Sequence, residues 1–200
     1  MISDIFLYFC CMRRFYNNIP PNGIYIMQYS KFFTADQWDG DKDTVVGVGV
    51  VDDNCRFVIP SSPDFTSWLP WGGMGIMING IVTTDLIDKA IQDYQGNTNT
   101  DKICQINEDG AARFCRSTVS RNGKKGYLPA LGEMMIVYKH LQEINTYMAL
   151  VDGVPINNAD NFWTSTQYSS QKAYIIRFTS DIRGPYDKDQ HTAVKAFIQL

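Results

Sequence analysis

Residues 161–179 read Asn161-Phe162-Trp163-Thr164-Ser165-Thr166-Gln167-Tyr168-Ser169-Ser170-Gln171-Lys172-Ala173-Tyr174-Ile175-Ile176-Arg177-Phe178-Thr179. Two runs, 161–167 and 173–179, are rich in β-branched and aromatic residues and flank a polar turn, the pattern of a strand pair. A third such run spans Ala193 to Ile198. Together they predict an antiparallel sheet in residues 161–200. Residues Asn161–Ser170 also join aromatic anchors to a run of hydroxyls and amides. Such side chains suit adaptable recognition in a binding loop, and they equally suit a hydrogen-bonded structural corner.

Working upstream, Pro129 opens a long helical pattern. Leu131, Met134, Met135, Val137, Tyr138, Leu141, Ile144 and Met148 recur at helical spacing. Asp152-Gly153 ends the pattern. A second helix is expected after Thr83-Thr84-Asp85, with Leu86, Ile87, Ala90, Ile91 and Tyr94 on one face and Gly96 closing it. A polar loop and a short helix around Ala111–Arg116 follow. Strands are expected at Ile24–Gln28, Thr44–Val51 and Arg56–Ile59, with a short one at 76–82 after the Ser61–Gly75 loop. No internal repeat is visible. The reading is an α+β domain with two main helices and a C-terminal antiparallel sheet. Asn18-Ile19-Pro20-Pro21-Asn22-Gly23 is turn-rich. It separates an N-terminal segment, 1–22, from a domain over 23–200.

The chain has 200 residues, 44% hydrophobic, 20% charged and 13% aromatic. That length buries a sizeable core without disulfide staples, and the aromatic content excludes a disordered chain. Eighteen basic and 21 acidic residues give a net charge of -3, a poor match to nucleic-acid binding. The charge is uneven. Residues 1–120 hold 9 basic and 14 acidic side chains (-5), residues 121–200 hold 9 and 7 (+2). Five irregularly spaced cysteines, with no Cys-x-x-Cys pair, suit neither a disulfide framework nor a zinc ribbon. The longest apolar run, Ile5 to Met12, is too short to span a bilayer. Asp4 precedes it and Arg13-Arg14 follow it, the reverse of a signal peptide. The aromatics Phe6, Tyr8, Phe9, Phe15 and Tyr16 in this segment suit a packed element, sequence ahead of a start at Met12 or Met27, or a docking segment.

Catalytic and metal motifs are weak. Asp39-Gly-Asp41-Lys-Asp43 alternates like a calcium loop, but Thr44 and Val50 occupy the positions of its glycine and glutamate. Gly73-x-Gly75 lacks the third glycine of a dinucleotide fingerprint. His140 and His191 accompany no Gly-x-Ser-x-Gly elbow. Glu133 and Glu143 are ~15 Å apart along a helix, too far for paired acid/base work. No cofactor and no metal site are expected.

Three segments carry a resemblance: Gly126-Tyr-Leu-Pro-Ala-Leu-Gly-Glu133, Phe162-Trp-Thr-Ser-Thr-Gln-Tyr-Ser-Ser170 with Ala173-Tyr174, and Val194-Lys-Ala-Phe197. With Thr34-Ala-Asp-Gln-Trp-Asp39 and Asp52-Asp-Asn-Cys-Arg-Phe57, they resemble C-type-lectin-fold proteins of gut Bacteroidales and their phages. Several members are similar to variable proteins of diversity-generating retroelements. The resemblance covers about residues 23–200 and implies a C-type-lectin-like fold. It implies that Trp163, Tyr174, Ile176 and Phe178 face the core. Ile175, Arg177 and Thr179 then fall on the opposite face. The implied ligand-binding positions are Gln171, Lys172, Ile175, Arg177, Thr179, Asp181, Arg183 and Tyr186. Lys195 stands where the family often has arginine. The Glu-Pro-Asn motif and paired cysteines of calcium-dependent sugar-binding lectins are absent.

The expected function is a non-enzymatic protein that binds a host cell-surface receptor or glycan. The lack of an export pattern favours a phage virion component, docked to other virion proteins through residues 1–22, over a secreted bacterial adhesin at the cell surface. A structural capsid or tail decoration protein is the alternative. A cysteine-dependent oxidase on the same fold is a third reading.

Overall fold

Valine and glycine alternate through residues 45–51, and every one of these residues is buried. A strand buried on both faces must lie inside a sheet covered on both sides. The computed structural model describes residues 19–38, 40–179 and 182–200 and places this strand, β3 (Val45–Val51), between β1 (Gly23–Gln28) and β4 (Arg56–Pro60). With β2 (Lys31–Phe33), β6 (Gly126–Tyr127) and β11 (Phe197–Gln199) they form a six-stranded antiparallel sheet, ordered β2-β1-β3-β4-β11-β6. Gly47 is required here. A Cβ at this position would lie 2.1 Å from the Ile59 carbonyl oxygen and 2.7 Å from Pro60 Cα. Gly47→Ala is expected to cost about 2–3 kcal/mol, read as a lower urea midpoint with an unchanged slope.

The second sheet is ordered β5-β10-β7-β8-β9. Its strands are β5 (Thr66–Leu69), β7 (Phe162–Gln167), β8 (Lys172–Arg177), β9 (Ile182–Asp187) and β10 (Thr192–Lys195). The expected C-terminal strands are present, with two differences: the single run expected at 193–198 divides between β10 in this sheet and β11 in the other, and the sheet is not wholly antiparallel. β10 runs parallel to β7, Ala193 opposite Phe162, while pairing antiparallel with β5. Residue patterning does not encode strand direction; the connection through 188–191 sets it. Pro185, which has no N–H to offer, lies on the edge strand β9 and blunts further pairing.

The helices are α1 (Ile87–Ala90), α2 (Gly96–Ile106), α3 (Ala111–Ser117) and α4 (Leu131–Leu150). The long helix matches its apolar stripe and is kinked at His140. It packs on strands of both sheets, touching β1, β3, β7 and β8. Three of its four N-terminal amides have named partners: Ala130 N donates to Glu133 Oε2 (2.7 Å), Leu131 N to Thr166 Oγ1 (2.9 Å) and Gly132 N to the Asp93 carbonyl (2.9 Å).

Two expectations fail between 76 and 106. The second helix is a single turn, and Gly96 begins the next helix rather than ending one. The buried stripe of α2 is Gly96, Asn99, Thr100 and Ile103. It has helical spacing but mostly polar residues, so hydrophobic periodicity gives no signal. Residues 76–82 form loop, not strand. Ile78 and Ile81 are buried while Ile76 and Met77 are exposed, and the one ladder-like contact is Thr83 beside Gln167.

The core has two large clusters. One joins α4 to Val48, Val50, Phe57, Phe162, Tyr174, Ile176 and Phe178. The other joins Trp71, Ile78, Ile103, Cys115, Trp163, Ala173, Ile175 and Val194. Strand alternation in β8 is therefore as expected, but both of its faces are covered. Residues 1–18, most of the expected docking segment 1–22, and Asp181 lie outside the described residues. Among the described residues no helix is long and apolar enough to cross a membrane.

Candidate functional site: a pinned apolar loop

The run Thr164-Ser165-Thr166-Gln167 is fully buried, so these four residues build the structural corner, while Tyr168, Ser169 and Ser170 of the same stretch are only partly buried in the β7–β8 turn. Thr164 Oγ1 donates to the Tyr174 carbonyl (2.9 Å), and Thr166 Oγ1 donates to Asp93 Oδ2 (2.8 Å). Asn99 Nδ2 reaches the same Asp93 oxygen at 2.9 Å. Burial raises the Asp93 carboxyl above its ordinary range, against these hydrogen bonds. Glu133 is 4% exposed and accepts from Tyr127 Oη at 3.0 Å as well as from Ala130 N. Burial pushes it to about 8.

The seventeen residues 70–86 connect β5 to α1 without regular structure, a length usually reserved for functional loops. They are pinned from below by two buried side chains. Gln167 Oε1 accepts from Ile78 N (3.1 Å), and its Nε2 donates to Thr83 Oγ1 (2.7 Å). Lys188 is fully buried; its Nζ donates to the Ile76 carbonyl and to Gln167 Oε1, both at 2.8 Å. The same ammonium sits 4.4 Å from the Trp71 ring centroid, a cation–π contact. Desolvation lowers Lys188 to about 8. Trp71 Nε1 donates to the Thr164 carbonyl (2.8 Å), and Trp71 N to the Lys188 carbonyl (2.9 Å). Gly73 turns the chain at φ +59°, where a Cβ would collide with the Asn107 amide.

Pinning the loop's base forces its tip outward. Met74, Ile76 and Met77 are 46%, 41% and 47% exposed. The tip meets the β7–β8 turn, where Gly75 N donates to the Ser170 carbonyl (3.0 Å) and Lys188 N to the Gln171 carbonyl (2.9 Å). Met77 Sδ also accepts from Gln167 Nε2 at 3.1 Å, and exposed apolar side chains on a loop with a hydrogen-bonded base suit an interaction site.

The residues implied by the resemblance divide in two. Gln171 and Lys172 adjoin the loop, and Lys172 Nζ pairs with Asp187 at 3.4 Å. Tyr186, half-exposed, packs against Trp163 with ring centroids 6.0 Å apart. Arg177, Thr179 and Arg183 lie at the other end of the β8–β9 hairpin, ~17 Å away along the strand. Arg177 Nε donates to Asn161 Oδ1 (2.8 Å). Ile175 corrects the expected outward face. It is 4% exposed, because β8 is covered on that side too by the cluster containing Trp71 and Ile78. Lys195 is also buried, donating to Thr66 Oγ1 at 3.3 Å and lowered by desolvation to about 8. Met74, Ile76, Met77 and the pin Lys188 were missed in the sequence, and Gln167 was singled out only as part of the run 161–170. The available signal was a glycine-rich loop carrying apolar residues.

The other chemistry-bearing groups are elsewhere. Burial raises the Cys55, Cys104 and Cys115 thiols above their ordinary values, the opposite of an activated nucleophile. Asp41 caps its own turn, accepting from Asp43 N and Thr44 Oγ1; Asp39 is outside the described residues.

No family model matches the chain, and no curated protein matches it in sequence. Among solved structures it is similar to a fimbrial protein from Bacteroides ovatus ATCC 8483, with a TM-score of 0.66 at 12% identity. The match covers 90% of this chain and 49% of the other, so the chain spans about half the length of that protein. At that identity the likeness is one of fold.

Proposed function

We propose that the chain is a non-enzymatic binding module of C-type-lectin-like fold, acting at the bacterial cell surface, with loop 70–86 and the β7–β8 turn as its binding face. The observation that carries this reading is the exposed Met74–Met77 tip on a base fixed by buried Lys188 and Gln167. Preorganised apolar anchors bind at low ordering cost. The fold likeness to a fimbrial protein favours the cell surface. A phage virion component, whether receptor-binding or a structural decoration, is the second reading. The resemblance of segments 126–133, 162–174 and 194–197 favours it.

The test is saturable binding of the fluorescent chain to intact Bacteroidales cells and to intestinal mucin, followed by the Met74→Ser, Ile76→Ser, Met77→Ser triple variant. A loss of about 100-fold in affinity is expected, with an unchanged melting temperature. Absence of saturable binding to both surfaces, or unaltered binding by the variant, contradicts the proposal.

A further inference from the structure

A separate cleft of about 350 Å³ opens between β3, the Ser61–Phe65 segment, the 119–121 turn and the end of α4. That is the lower end of small-ligand sites. Its charges are not equally available. Lys42 and Asp152 pair with each other at 2.6 Å. Asp64 accepts from Ser62 Oγ at 3.0 Å through one oxygen, Oδ2. Arg121 has no hydrogen-bond or ion-pair partner among the described residues. The turn that presents it is closed by Gly123 N to the Ser120 carbonyl (2.8 Å) and Ser120 N to the Lys124 carbonyl (2.9 Å). The Ser61 backbone is used by Val46 and Val154, while its hydroxyl makes no bond among the described residues. Exposed Val119 and the floor of Val45 and Val46 supply apolar surface.

We infer that this cleft is a subsite for a small polyhydroxylated carboxylate, of the hexuronate or sialic-acid class. The uncompensated guanidinium of Arg121 takes the ligand carboxylate. The free oxygens of Asp64 and Asp152 and the Ser61 hydroxyl take the sugar hydroxyls. Asp64 and Asp152, which line the same cleft, repel a phosphate dianion more strongly than a singly charged carboxylate. The assignment uses no residue of the loop 70–86 face and stands apart from it.

Saturation-transfer NMR on the full chain tests it, with D-glucuronate, N-acetylneuraminate, D-glucose and inorganic phosphate as probes. At least one of the two acids is expected to receive saturation, with glucose and phosphate at least ~10-fold weaker. Arg121→Gln, on an exposed turn, is expected to weaken acid binding ~10–100-fold without changing the melting temperature. The Met74/Ile76/Met77 variant is expected to keep it, which separates failure here from failure of the loop as a receptor face. The assignment is overturned if neither acid binds, if phosphate or glucose binds as well, if Arg121→Gln binds equally, or if the loop variant loses the acid.

Discussion

Replacing Trp71 with alanine is expected to remove about 4 kcal/mol of stability and to free loop 70–86. The ring is fully buried in the cluster with Ile78, Trp163 and Val194, so its loss leaves a cavity. It also removes the Nε1 hydrogen bond to the Thr164 carbonyl and the ring beneath the Lys188 ammonium. Both leave a buried polar group less satisfied. Urea denaturation measures the first effect. Amide hydrogen exchange measures the second, with faster exchange expected at Gly75 and Ile78, whose amides bond to the Ser170 carbonyl and Gln167 Oε1. A loss under 1 kcal/mol, or unchanged exchange at those amides, contradicts the role given to Trp71.

The second large effect is a decline of stability with rising pH, centred on Glu133. Burial lifts this carboxyl from 4.5 to about 8, and Asp93 beside it is shifted the same way. Between these two pH values the unfolded chain has lost the Glu133 proton while the folded chain retains it. The folded state binds more protons, so stability falls as pH rises through that window, by a few kcal/mol in all on an order-of-magnitude scale. The loss is complete above about 8. Glu133→Gln removes the titration while keeping an acceptor for Ala130 N and turning an amide donor toward Tyr127 Oη, as the protonated carboxyl does, and is expected to flatten the profile. Urea midpoints at pH 5 and pH 8 for both proteins check this. Equal slopes in the two proteins contradict it.

These residues also show what the sequence made legible. The strand runs at 24–28, 45–51, 56–59, 162–167 and 173–177 are present because alternating or continuous apolar runs report burial directly. The long helix is present because its stripe is apolar. Helix α2 was not legible, since its buried stripe is held by hydrogen bonds of Asn99 and Thr100 rather than by apolar contact. Ile175 was misread for a related reason. Alternation gives two faces, but only the tertiary structure shows that a loop covers the second one. The motif at 126–133 and the hydroxyl run at 164–166 meet in one buried network, with Leu131 N bonded to Thr166 Oγ1 and Ser165 N to the Pro129 carbonyl. Their residue types are set by that network and not by ligand contact. The loop tip was hidden because Ile76 and Met77 look like strand core until Lys188 and Gln167, about 90 or more residues distant in sequence, are seen to fix the backbone beneath them.

The most direct test sets the two ends of the β8–β9 hairpin against each other. Binding to intestinal mucin and intact Bacteroidales cells is measured side by side for two triple variants of matched melting temperature. One carries Met74→Ser, Ile76→Ser and Met77→Ser; the other carries Arg177→Ala, Thr179→Ala and Arg183→Ala. The account predicts that the loop variant loses about 100-fold in affinity while the hairpin-end variant binds like the wild type. Retained binding by the loop variant with loss in the hairpin-end variant would contradict it.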